Sequence, residues 1–146
     1  MPFTPTQEAF VYSTEAYPAF VGGFGSGKTA AAIARIMRLK RLCPEQDVAY
    51  YLPTYGLVED IAYKRFPAMF DRLGLRFKLN RQAARFTTDI GDIIFRTMDN
   101  PDRIVGFEVA HSIIDELDTL PLEKARNVWN KVIARNRQKA FTINGK

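Results

Sequence analysis

Hydrophobic and polar positions along the chain follow two periods. Residues 27–42 place Ala30, Ala31, Ala32, Ile33, Ala34, Ile36, Met37 and Leu39 at helical spacing. Such a run has strong helix propensity and a wide apolar face, and Pro44 marks its stop. Residues 55–73 return to the helical period through Leu57, Ile61, Phe66, Phe70 and Leu73. Pro67 predicts a kink or the start of a second helix there, and Gly74 a C-cap. Residues 122–136 form a third amphipathic stretch, with Leu122, Ala125, Trp129, Val132 and Ile133 on one side. Short apolar runs lie between these helices. Residues 18–22, then 47–53 through Val48, Tyr50, Tyr51 and Leu52, then 109–114 read as buried strands.

Residues 75–97 switch to period two. Arg76-Phe77-Lys78-Leu79 alternates, and 84–88 and 93–97 flank the turn signal Asp89-Ile90-Gly91-Asp92. This predicts a β-hairpin inserted on the edge of the main sheet. Residues 1–17 are irregular apart from a short helical stretch at Thr4-Pro5-Thr6-Gln7-Glu8, with Thr4 or Thr6 as N-cap. Asn100-Pro101-Asp102-Arg103 is a loop, and Ala140 to Ile143 reads as the start of another strand, turned by Asn144-Gly145. The alternation predicts an α/β fold: a mainly parallel sheet flanked by helices, with ligand bound at the carboxyl ends of the strands.

Composition narrows the chemistry. The 146 residues suffice for one domain. No apolar run is long enough to span a bilayer, and the first residues lack the layout of a signal peptide. Cys43 is the one cysteine and His111 the one histidine, which excludes an intrachain disulfide and any Cys- or His-rich metal centre. A cytosolic setting is consistent with this. The net charge is +5. Most of the excess sits in residues 63–86 and 122–146, which suits a polyanionic partner or, equally, a solvated helical face.

The chain is organised around Gly22-Gly23-Phe24-Gly25-Ser26-Gly27-Lys28-Thr29. The spacing Gly22-x4-Gly27-Lys28-Thr29 is that of a P-loop, set between a strand-like and a helix-like segment. Glycines let consecutive N–H groups turn inward on a phosphate, and the following helix adds its own unpaired N–H groups. Lys28 can then reach the β- and γ-phosphates of ATP, and the Thr29 hydroxyl can bind Mg2+. A second motif closes the run 109–114 with Asp115 and Glu116. Asp115 is suited to the Mg2+ shell and Glu116 to polarising a water. Asp118 is expected to be solvated. Gln7 offers a donor and an acceptor suited to an adenine edge, or is a plain exposed helix residue. Arg103 and Arg96 are candidates for a transition-state cation, with a surface salt bridge as the alternative for Arg103.

With these motifs the chain resembles the N-terminal ATPase domain of the large terminase subunit, the DNA-packaging motor of tailed bacteriophages. The resemblance runs from about Thr4 to the end. It rests on residues 4–8, the glycine-rich loop, the hairpin after Gly74, residues 100–106, and Ile113-Ile114-Asp115-Glu116. It implies a P-loop NTPase fold of the ASCE type. It further implies Gln7 on the adenine side, Lys28 on phosphate, Thr29 and Asp115 on Mg2+, Glu116 as the catalytic glutamate, and Arg103 acting on a neighbouring subunit. ATP hydrolysis would drive double-stranded DNA into a procapsid. The implied partners are a portal protein, a small terminase subunit and further copies in a ring, in the cytoplasm of an infected bacterial host.

The family's nuclease domain, its Thr- or Ser-rich coupling motif and the central strand carrying that motif do not appear in the sequence. A partial ATPase domain that binds nucleotide but turns it over poorly alone is therefore expected, with Ala140 to Ile143 standing in for that strand as the alternative. Rival readings are a helicase-type ATPase, which needs a second motor lobe, and a non-catalytic DNA-binding or assembly module that retains a P-loop. A small-molecule kinase lacks an acceptor-site signature.

Overall fold

The computed structural model describes residues 2–138. Helix α1 (Pro5–Tyr12) is followed by α2 (Lys28–Leu42), β1 (Val48–Leu52), α3 (Tyr55–Leu57) and, after a π-helical turn Val58–Ala62, α4 (Tyr63–Leu73). Then come β2 (Phe77–Asn80), β3 (Arg85–Thr88), β4 (Gly91–Thr97), β5 (His111–Ile114) and α5 (Leu122–Arg135). The sheet order is β2-β3-β4-β1-β5. β1 pairs in parallel with β4 and β5, and β3 pairs antiparallel with β2 and β4.

β1 sits between two neighbours and is buried on both faces, which is why its sequence is a continuous apolar run. Val48, Tyr50 and Leu52 pack with Ile36 of α2 and with Phe66 and Phe70 of α4. Ala49 and Tyr51 face the other side, with Val128 and Val132 of α5. Helices thus cover both faces of the sheet.

The hairpin is more deeply built in than its sequence suggests. Its second arm, β4, is a full member of the parallel ladder, and only β2 and β3 extend the sheet outward. Pro67 lies inside α4, and the expected distortion is displaced one turn upstream, into the π-helical turn before Tyr63. Gly74 caps α4 at φ 67°, in the left-handed region glycine favours.

One expected strand is missing. Residues 18–22 form no strand, and Val21 is exposed. The physical reason is that no ladder partner lies beside them among the described residues. β5 is an edge strand, and a cavity of about 920 Å3 separates its outer side from residues 14–22. Ala140 to Ile143 lie outside the described residues.

The first helix is docked by a residue the sequence did not single out. Arg35 on α2 is buried, and its Nη1 donates to the carbonyl oxygens of Phe10 (2.7 Å), Ser13 (3.1 Å) and Val11 (3.4 Å). These close the carboxyl end of α1, where helix carbonyls lack intrahelical partners.

At the amino ends of β1 and β4 Lys40 is fully buried, donating to the carbonyl oxygens of Gln46 and, at 3.2 Å, Asp92. Burial pushes its pKa down to about 8, against the attraction of Asp47, Asp92 and Cys43. Unfolded lysine titrates near 10.5, so above pH 8 the unfolded chain holds more protons than the folded one and stability rises with pH. Above about pH 10 the unfolded tyrosines ionise while buried Tyr50, Tyr51 and Tyr63, all with raised pKa, do not, and the trend reverses. The urea midpoint should therefore climb from pH 8 toward about 10 and then fall, and Lys40→Met should flatten the climb. A wild-type midpoint that only falls across this range would contradict the assignment.

Candidate functional site

The glycine-rich segment is a bend that delivers α2. Gly27, the N-cap of α2, has φ 79° in the left-handed region, and the Ser26 N–H donates to the Gly23 carbonyl at 3.2 Å. Gly22 permits a close approach: a Cβ there would lie 2.6 Å from Ser26 Oγ. Lys28 folds back along the loop, its ammonium donating to the Gly22 (2.6 Å) and Gly23 (2.9 Å) carbonyls. Ser26 Oγ is buried without a hydrogen-bond partner among the described residues. Phe24 is fully exposed at the tip.

Gln7 is brought onto this loop from α1. Its Nε2 donates to the Ser26 carbonyl at 3.3 Å and the Gly27 carbonyl at 3.5 Å. Its Oε1 accepts from the Thr4 N–H at 2.9 Å, while the Thr4 hydroxyl accepts from the Gln7 N–H, so Thr4 is the N-cap in a capping box. Gln7 is therefore no plain exposed residue. Its amide links the start of α1 to the glycine loop.

The two sequence motifs meet. Thr29 Oγ1 donates to Asp115 Oδ2 at 3.2 Å, across 86 positions of sequence. Tyr50 on β1 donates to the same oxygen at 2.7 Å. Burial, then the Asp115 carboxylate, raises the Tyr50 pKa far above the phenol range, so its proton stays in that bond. Asp115 is buried, and its Oδ1 accepts no hydrogen bond among the described residues. A hydroxyl beside a carboxylate with a free oxygen is a donor set that fits a small hard cation keeping several waters. Among the described residues no group of three or more His, Cys, Asp or Glu could hold a metal by protein ligands alone.

Glu116 is half-buried and has φ 59°, a left-handed conformation rare for a non-glycine residue. With Gly22, Lys28 and Asp115 it lines the cavity beside β5, which reaches out to Trp129. His111 at the start of β5 lines it too. Burial, then Arg35 and Lys40, lowers its pKa, so it is neutral at pH 7.

Arg103 and Arg96 stay away from this cavity. Arg96 is held in place, with Nη1 donating to the Phe95 (2.7 Å) and Ala83 (3.3 Å) carbonyls and its guanidinium over the Phe107 ring at 4.8 Å. The Arg103 side chain makes no hydrogen bond or ion pair among the described residues. The surface salt bridge that stood as the alternative for Arg103 is not made by it among the described residues, and its neighbour Asp102 pairs with Lys131 at 3.1 Å. Tyr50 is the site residue that sequence reasoning missed. Its signal was a phenol in a buried strand, the setting in which a tyrosine hydroxyl usually finds a partner.

This is an α/β domain with a glycine-rich loop and an acidic strand end meeting at one edge of the sheet, the fold of large-terminase ATPase domains. The model of the family described as terminase large subunit, T4likevirus-type, N-terminal, matches residues 19–144, and the chain belongs to that family. No curated protein matches the sequence. Among solved structures, the large terminase of a thermophilic bacteriophage is similar, with a TM-score of 0.75 at 18% identity over 94% of this chain and 37% of that one. The same phage enzyme in complex with ADP gives a TM-score of 0.71 at 21% identity, over 93% and 36%. The large terminase ATPase domain of Thermus phage P74-26 gives 0.62 at 20% identity, over 78% and 53%. The chain thus spans little more than a third of the first phage's terminase and about half of the Thermus phage domain. Among the described residues no helix is long and apolar enough to cross a membrane.

Removing the Tyr50 hydroxyl leaves the buried Asp115 carboxylate short of a charge-assisted bond, worth about 1.5–3 kcal/mol. Tyr50→Phe should lower unfolding free energy by about that amount near neutral pH, read by urea denaturation. A change under about 0.5 kcal/mol would show that the bond does not hold Asp115.

Proposed function

We propose that this chain is the ATP-binding and hydrolysing part of a motor that packages double-stranded DNA into a viral procapsid. The observation that carries the reading is the Thr29–Asp115 contact, because it puts the hydroxyl after the loop lysine and the acid at the strand end at one point. The thermophilic phage relative in complex with ADP supports nucleotide as the ligand.

In this reading the amides of residues 22–27 and the unpartnered Ser26 hydroxyl receive the phosphates at the start of α2. Lys28 exchanges its two loop carbonyls for β- and γ-phosphate oxygens. Gln7, already against Gly27, keeps the loop closed and offers its remaining amide capacity to the adenine edge. Thr29 and Asp115 would hold Mg2+, which neutralises phosphate charge when bound. Glu116 orients the attacking water, and its strained backbone is of the kind that concentrates at functional sites. Arg103, without a hydrogen-bond or ion-pair partner among the described residues, would reach the nucleotide of a neighbouring copy in a ring, where such a cation adds roughly 10³–10⁵ in rate.

Duplex DNA, a portal protein and a small terminase subunit are the partners this reading requires, in the cytoplasm of an infected bacterial cell. Nuclease activity would belong to a separate domain. Turnover by this chain alone is expected to be slow, since residues 18–22, which lead into the loop, form no strand and have no sheet neighbour among the described residues to brace them.

Lys28→Ala should abolish MgATP binding in equilibrium titration. Glu116→Gln should bind MgATP like wild type and lower hydrolysis by about 10²–10⁴. Wild-type turnover in Glu116→Gln would remove Glu116 from the mechanism. MgATP binding by Lys28→Ala at wild-type affinity would sink the loop assignment.

A further inference from the structure

A second concavity, of about 590 Å3, opens at the carboxyl end of β4. Arg81, Arg85, Arg96 and Arg103 line it, together with Gln82 and Tyr55, and none of its lining residues is acidic. The guanidinium groups come from the β2–β3 turn, from the start of β3, from the end of β4 and, for Arg103, from the turn Pro101–Arg103 that follows β4. Two of them have carboxylate partners outside the lining: Arg85 with Asp92 at 2.6 Å, and Arg81 with Glu59 at 3.5 Å. The Arg81 pair is solvent-exposed and offers little to hold Arg81 back from another anion. Arg96 spends only Nη1 on carbonyl oxygens and leaves Nη2 and Nε unpartnered among the described residues. Burial, then the nearby Arg85 charge, lowers the Arg96 pKa, so an anion placed between the two would relieve a standing repulsion.

We infer that Arg81, Arg85 and Arg96 form a contact site for the phosphate backbone of duplex DNA. The inference deepens the motor reading and rests on it. Three guanidinium groups spread over three segments suit a repeating polyanion, whose duplex carries a charge every ~1.7 Å of axis. They suit a single bound phosphate less well, because no glycine loop or long helix N-terminus lines the concavity to encircle one. The contacts carry position, not sequence. The site also lies where a motor needs it. β4, β1 and β5 are parallel neighbours, so the β4 side of this concavity and Asp115 lie at the same, carboxyl, end of the strands, roughly 10 Å apart counted in strand spacings. Of the two basic segments, the one that ends in the hairpin therefore meets the DNA, and α5 does not.

The test is fluorescence anisotropy of a labelled DNA duplex with the full chain across a salt series. MgATP binding is measured on the same preparations, and folding of each variant is checked by urea denaturation. Arg81→Ala should weaken duplex binding about tenfold and make the slope of log K against log salt shallower by about 1. Arg81→Lys should keep most of that slope, and Arg96→Ala should repeat the Arg81→Ala result. Arg72→Ala on α4 and Arg126→Ala on α5, both exposed and outside the concavity, should stay within about twofold of wild type. Equal losses in all the alanine variants, or losses confined to Arg72→Ala and Arg126→Ala, would overturn the assignment. So would unchanged duplex binding with impaired ATP turnover in Arg81→Ala, which would make the phosphate a neighbour's nucleotide. No duplex binding by wild type would overturn it as well, and intact MgATP binding would then leave the nucleotide reading standing.

Discussion

The hydrogen bond from Thr29 to Asp115 is the point on which the site depends. The glycine loop is a bend with no strand beneath it among the described residues, so its position is fixed from its far side, through α2. Helix α2 is in turn seated on the sheet by Ile33 and Ile36. Asp115 ends the edge strand β5, and its carboxylate would be costly to bury alone. Thr29 and Tyr50 both donate to it, and Tyr50 belongs to the fully buried central strand. The acid is thereby held from the sheet and the loop from the helix, and one carboxylate oxygen joins the two.

The same geometry sets the weak side of the domain. The sheet is strong from β2 to β1, where aromatic rings of Tyr63, Phe66, Phe86 and Phe95 pack edge to face and tilted. Among the described residues the ladder stops at β5, and the loop's approach runs exposed across a cavity. Arg35 and Gln7 compensate from the other direction. Arg35 closes the end of α1, and Gln7 fastens the start of α1 to Gly27. The loop is thus braced by a helix through a few polar bonds, a softer support than a strand gives.

How much of this was legible in the sequence differs by element. β1, α2 and α5 announced themselves through long apolar periods, because each buries a wide face and burial leaves its mark on residue choice. The apposition of Thr29 and Asp115 was legible through motif spacing. Residues 18–22 misled because an apolar run says only that a segment can be buried, not that a partner strand lies beside it. β4 was read as an insertion because a hairpin turn reports its local pairing and is silent about the parallel neighbour on the other side. Tyr50 and Arg35 were hidden for a related reason: their polar ends meet groups 65 and 25 positions away. Arg103 and Arg96 looked alike as loop-region arginines, and only packing separates a guanidinium stacked on Phe107 from one with no hydrogen-bond or ion-pair partner among the described residues.

The most direct test of the account is a double-mutant cycle on MgATP affinity with Thr29→Val, Asp115→Asn and the double variant, in the presence of Mg2+ and again with the metal chelated. If the two oxygens share one cation, the double variant should lose scarcely more affinity than either single one, with a coupling above about 1 kcal/mol, and the four proteins should bind ATP alike without the metal. Additive losses, or losses that persist when Mg2+ is removed, would contradict the claim that this contact is the metal-holding centre of the site.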